Sequence, residues 1–121
     1  MAKQNAIVDL TVEFAQQIIQ YCELLEKGKK WVLANQLLKS GTSIGANVWE
    51  AQHADSRVDF IHKMKIAAKE AHETAYWLLL CEKSETYPNC NELKIKLDSI
   101  QKVLTKIIVS SKKKTISKSA H

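Results

Sequence analysis

From Leu37 to Leu80 the chain places apolar or small residues at steps of three and four, broken only by a short polar corner at His53–Ser56. That spacing keeps one face of an α-helix apolar and gives a strand, which alternates every second residue, no consistent inside. The pattern continues on both sides of this stretch. With three glycines and one proline in 121 residues, the chain lacks the turn formers that a sheet protein needs. The predicted class is all-α. A chain of this length forms one domain and buries on the order of 65% of its unfolded surface.

Ile7, Leu10, Phe14, Ile18, Tyr21 and Leu25 mark a first helix over about residues 5–27. Val8, Val12, Ala15, Ile19 and Cys22 form a second apolar stripe beside the first, and Gly28 is placed to close the helix in a left-handed conformation. Trp31, Ala34, Leu37, Gly41, Ile44, Val48 and Ala51 mark a second helix over 31–53. Gly41 and Gly45 cost this helix about 1 kcal/mol each relative to alanine. Four residues apart, they let another backbone approach closely; their spacing fits neither of the glycine-rich phosphate-binding patterns.

Asp55 or Ser56, with Asp59 three residues after Ser56, predicts the start of a third helix over 56–83, whose inner stripe is Phe60, Met64, Ala67, Ala68, Ala71, Ala75 and Leu78. After Tyr87 and Pro88, Asn89 and Glu92 predict a fourth helix over 90–110. Its Leu93, Leu97, Ile100, Leu104 and Ile107 step by four, three, four and three, the seam of a left-handed bundle. Residues 111–121 have no apolar period and are expected to form a disordered basic tail. Short connections imply an antiparallel up-down-up-down bundle over residues 1–110. The extra apolar width on helices one and three implies a homo-oligomer.

The net charge is +5, of which Lys112, Lys113, Lys114 and Lys118 supply four, leaving +1 for the first 110 residues. Two readings of this tail stand side by side. It is a solvated run, or it joins Arg57, Lys63 and Lys65 as an electrostatic contact for RNA or DNA. Cys22, Cys81 and Cys90 are odd in number and form no CxxC pair, so no disulfide framework is expected and a reducing cytoplasm fits. No secretory start and no apolar run of about 18 residues is present, so no membrane partner is expected.

A polar stripe runs along the second helix: Gln36, Ser40, Ser43, Asn47 and Glu50. Ser43, Asn47 and Glu50 are expected to meet Lys69, Glu70, Glu73 and Tyr76 of the third helix, inside the bundle or across a subunit boundary, because a buried hydrogen-bonding group left unmet costs about 1–3 kcal/mol. Such a network fixes register between helices or subunits; a ligand or nucleic-acid contact is the competing reading. Lys69 and Glu73 are spaced for an i,i+4 ion pair.

His53, His62, His72 and His121 include no pair at i,i+4 spacing, and no two helices carry the paired Glu-x-x-His motifs of a two-iron bundle. The cysteines lack a histidine pattern that would nominate a nucleophile. No catalytic residue, metal or cofactor is expected, and the chain reads as nonenzymatic.

Ser43, Ile44, Ala46, Asn47, Glu50 and Ala51 form the pattern S-I-x-A-N-x-x-E-A, followed by D-F-I-x-K at Asp59–Lys63 and K-E-A-x-E-T-x-Y-W-L at Lys69–Leu78. These segments resemble the bacterial four-helix-bundle family of 23S rRNA-intervening-sequence proteins, over about 45 contiguous residues. The resemblance implies a left-handed antiparallel bundle assembled as a homopentameric ring. It is similar, more distantly, to the accessory proteins of diversity-generating retroelements, which are basic pentamers working with nucleic acid. Two functions are therefore expected: an oligomeric scaffold associated with RNA, or a ring that holds another protein and has no affinity for nucleic acid.

Overall fold

The computed structural model describes residues 6–120, with side chains for 6–114. It contains α1 (Ala6–Lys27), α2 (Trp31–Ala51), α3 (Arg57–Glu82) and α4 (Asn91–Ala120), and no strand among the described residues. Each helix packs on its neighbour in sequence, and α4 returns to pack on α1. Cross-helix pairs fix the arrangement. Thr11 faces Gly45 and Ile18 faces Gly41 between α1 and α2, while Ser40 meets Thr74 and Glu50 meets Lys63 between α2 and α3. In each set one residue number rises as the other falls.

The stripes read from the sequence supply the core. Phe14, Ile18, Leu25, Leu37, Ile44, Met64, Leu78, Ile100 and Leu104 are fully buried. Burying each large apolar side chain contributes roughly 1.5–3 kcal/mol. Small residues set how closely the helices approach: Ala34, Gly41, Ala67 and Ala71 are buried at the seams.

The left-handed residue that ends α1 is Lys29, with φ 61°, and not Gly28. The backbone N–H of Lys30 donates to Leu25 O at 2.8 Å and that of Lys29 to Glu26 O at 2.9 Å. This is the double closure of a Schellman turn, which places the left-handed position one residue beyond the glycine. The cap at α3 follows expectation, Ser56 Oγ accepting from Asp59 N–H at 3.1 Å. At the next connection, Tyr21 Oη donates to Pro88 O at 2.6 Å and ties the α3–α4 loop to α1.

The tail expected to be disordered is helical. α4 continues without a break through residues 111–120. Ser111, seven residues after Leu104, is buried on the same side of the helix, so the seam extends a further turn with a small polar residue in place of an apolar one. Asn5 and His121 lie outside the described residues, as does the side chain of Lys118.

Cys22, Cys81 and Cys90 are free and buried. Burial, followed by the charges of Glu26 and Cys81, pushes the Cys22 thiol up to about 12; burial likewise pushes Cys81 up to about 11. Such thiols are packing groups, not nucleophiles. No helix among the described residues is long and apolar enough to cross a membrane.

Candidate nucleic-acid interface

The basic residues singled out in the sequence divide according to the direction each takes from its helix. Lys63 faces α2, where its Nζ contacts Glu50 Oε1 at 2.7 Å. Lys65, two residues on, points about 200° around the helix from Lys63 and lies beside Lys112 of α4. Close side-chain contact with Lys65, then repulsion between the two ammonium groups, holds the Lys112 ammonium below its ordinary value. Two helices thus bring like charges together at the surface.

Arg57 and Lys114 form a second convergence. Arg57 is the first residue of α3 and Lys114 lies in the last turns of α4; with Gln52, Ser56 and Phe60 they line one cavity of about 420 Å³. The ion pairs among the described residues are Lys63–Glu50, Lys94–Glu82, Lys96–Glu13 and Lys102–Asp98. None neutralises Arg57, Lys65, Lys112 or Lys114. Lys69 and Lys113 are exposed.

The outward face of α3 carries Lys65 and Lys69. His62, Lys65, Lys69, His72, Tyr76 and Leu79 are all exposed at steps of three and four, with no carboxylate among them. Asp59, Glu70 and Glu73 share the flank with Lys63, which faces α2. These three acidic groups lie away from α4, whereas Glu82 at the end of α3 faces it and pairs with Lys94. On the α2 side, Glu50, Asp55, Asp59, His53, His62 and Lys63 line a smaller cavity of about 250 Å³. No group of three metal-ligating side chains that could hold an ion occurs among the described residues.

Within one chain the polar stripe does not form the expected network. Ser43 Oγ donates to Lys39 O at 2.7 Å and Asn47 Nδ2 donates to Ser43 O at 2.9 Å, both within α2. Glu50 alone crosses to α3, and its partner is Lys63 rather than Lys69, Glu70, Glu73 or Tyr76. Lys69 and Glu73 make no ion pair; Trp77 Nε1 donates to Glu73 Oε2 at 3.2 Å instead. Tyr76 stands edge-on to Trp77, their ring centroids 5.1 Å apart, and is 54% exposed. Polar residues this close to solvent satisfy themselves locally, at less entropic cost than a reach across helices.

The polar contact buried between the helices is one the sequence reading did not pair. Ser40 and Thr74 hydroxyls lie 2.9 Å apart, both fully buried, and Thr74 Oγ1 also bonds Glu70 O at 2.8 Å. Ser40 was in the stripe and Thr74 on a neighbouring face, but their register needs the packed pair of helices. Gln52, Ser56 and Phe60 were also missed as cavity residues, and nothing in their spacing marks them.

A larger cleft of about 590 Å³ lies at the opposite end of the bundle, between α1 and the start of α4. Gln17, Gln20, Asn89, Asn91 and Glu92 are on its wall, and no basic residue is. The cavity lined by Arg57 and Lys114 lies at the end where α3 begins and α4 finishes; basic residues stand at the other end too, with Lys27, Lys29 and Lys83 exposed there.

The fold and the motif positions agree with what comparison finds. No curated protein matches the chain. A crystal structure of a protein of unknown function from the S23 ribosomal protein family of Bacteroides thetaiotaomicron matches with a TM-score of 0.81 and 42% identity. The match covers 84% of this chain and 97% of that one. The family model described as "23S rRNA-intervening sequence protein" matches residues 3–106, which span all three motifs and most of the four helices. With Ser43–Ala51, Asp59–Lys63 and Lys69–Leu78 on the two central helices of a four-helix chain, this protein belongs to the 23S rRNA-intervening sequence protein family.

Proposed function

We propose that the protein is a nonenzymatic oligomeric scaffold that associates with structured RNA through the cationic end of α3 and α4. The observation that carries this reading is the pairing of Lys65 with Lys112, two exposed lysines from different helices, neither of which is in an ion pair among the described residues. Holding like charges together is unfavourable unless an anion joins them, and phosphate is the anion that RNA presents at regular spacing. The family's description names 23S rRNA, which supports the same class of partner.

The chain is read as an antiparallel up-down-up-down bundle, supported by the reversed order of its cross-helix pairs, and of left-handed packing, as the resemblance implies. Five copies form a homopentameric ring, as the resemblance implies. Supporting self-association, Val12 and Ile19 on α1 and Tyr76 and Leu79 on α3 are large apolar residues that one chain leaves uncovered. A cytoplasmic site fits three free, buried thiols. A ring presents several cationic ends at once, so a modest contact per chain gives measurable avidity.

The test is binding of the full chain to structured RNA across a salt series. Affinity should fall with a slope of about 0.7–0.9 per phosphate neutralised on logarithmic axes, and Lys65→Glu with Lys112→Glu should lower both the affinity and the slope. Lys63→Glu, which alters a residue already paired with Glu50, should change binding less. The second reading, a protein-holding ring without nucleic-acid affinity, is favoured by exposed Trp31, Val32 and Trp49. Absence of RNA binding at low salt would leave that reading standing.

A further inference from the structure

The cavity at the cationic end is more selective than a charged surface. It is lined by Arg57 and Lys114 with the polar groups of Gln52 and Ser56, and by apolar Phe60 and Ala54. Ser56 Oγ accepts from the Asp59 N–H and keeps its own proton to donate. At about 420 Å³ the space falls within the roughly 300–1,000 Å³ of small-ligand sites. No carboxylate lines it, whereas the neighbouring cavity on the α2 side of the same corner has Glu50, Asp55 and Asp59 on its wall. The α2–α3 corner therefore divides a site that attracts anions from one that repels them.

We propose that this cavity recognises the phosphomonoester of a nucleotide, specifically the phosphorylated 5′ end of an RNA strand. The inference rests on the RNA reading above and names the part of the RNA that the site would take. A phosphodiester carries one charge and has chain on both sides, which suits an open groove. A terminal monoester carries about 1.5–2 charges at neutral pH and has chain on one side only, which suits a cavity lined by two cations. Arg57 provides the planar donor fork and Lys114 the point charge. Phe60 and Ala54 offer apolar surface to the ribose and base of the same nucleotide.

The experiment compares two short RNAs of identical sequence, one with a 5′ phosphate and one with a 5′ hydroxyl, binding to the full chain at moderate salt. Adenosine monophosphate and adenosine serve as calorimetric probes for a free nucleotide. The expected result is a preference of about tenfold for the phosphorylated strand, abolished in Arg57→Gln with Lys114→Gln. Lys65→Gln with Lys112→Gln should weaken both strands and keep the preference. Equal affinity for the two strands overturns the cavity inference and leaves the RNA reading intact. If neither strand binds, the RNA reading falls, and the monophosphate decides the cavity: binding of the monophosphate over adenosine upholds a phosphate site for free nucleotides, and binding of neither overturns it. Thermal melts of the variants verify that both exposed substitutions leave the bundle folded.

Discussion

Gly41 lies so close to Ile18 that a methyl group on its Cα would sit 2.9 Å from both Cγ1 and Cγ2 of the isoleucine. Contact at that distance forces a shift, and the isoleucine cannot yield freely because it is itself fully buried. Overpacking costs roughly 1–3 kcal/mol, against a gain of about 1 kcal/mol in helix propensity when alanine replaces glycine. Gly41→Ala should therefore lower stability. Gly45→Ala, whose methyl would meet Thr11 O at 3.3 Å and its side chain at 3.4 Å, should be closer to neutral. Urea denaturation of both variants should rank them in that order; equal stabilities would mean that the α1–α2 approach is looser than described.

Lys29 offers the opposite case, a site where glycine is missing. Its φ of 61° places a lysine in the left-handed region at the end of α1. A Cβ there costs about 1–2 kcal/mol that glycine does not incur. The gain is reduced by the extra freedom of glycine in the unfolded chain. Lys29→Gly should raise stability by up to about 1 kcal/mol, read as a higher urea midpoint with an unchanged slope.

The Ser40–Thr74 pair should behave as a coupled unit. Thr74→Val keeps the shape and removes the hydroxyl, leaving Ser40 buried without its cross-helix partner, at a cost of about 1–3 kcal/mol. Removing both hydroxyls with Ser40→Ala should cost less than the sum of the single variants. A double-mutant cycle by denaturation should give a coupling of about 0.5–3 kcal/mol. Simple additivity would show that the two hydroxyls are satisfied separately.

Stability should decline in alkali for a reason specific to the buried thiols. Cys81 and Cys22 are raised by burial to about 11 and about 12 from an ordinary thiol value of 9.0. Below about pH 9 the thiols are neutral whether the chain is folded or not, and their contribution is fully present. As pH rises from 9 towards 11 and 12, only the unfolded chain ionises, so folding is progressively disfavoured. Denaturation at pH 7, 9 and 10.5 should show this fall, and Cys81→Ala should flatten it. A thiol reagent should label the native protein slowly and the denatured protein at once.

Self-association should depend on the uncovered apolar face of α1. Val12 and Ile19 are each 43% exposed in the single chain. Ile19→Glu places a charge where a neighbouring copy would bury an apolar group, and should shift the mass measured by light scattering from a multiple of the chain to the chain itself. Helical content by circular dichroism should stay unchanged. A variant that remains fully assembled would move the interface elsewhere.

The sequence by itself determined the four helices, because a three-and-four spacing of apolar residues has only one secondary structure that buries it. It narrowed the cap of α3 to Asp55 or Ser56 and determined the close approach at Gly41, since both follow from what a side chain, or the lack of one, permits locally. Tertiary structure decided the rest. Lys63 and Lys65 are two residues apart and chemically identical, yet one is neutralised by Glu50 of α2 and the other stands beside Lys112 of α4. Ser40 rather than Asn47 bonds across the seam, and Ser111 prolongs α4 where composition suggested a loose tail. In each case the outcome depends on which neighbour occupies the space a side chain points into. That is set by the rotation and register of packed helices, a property of the whole core that no local spacing contains.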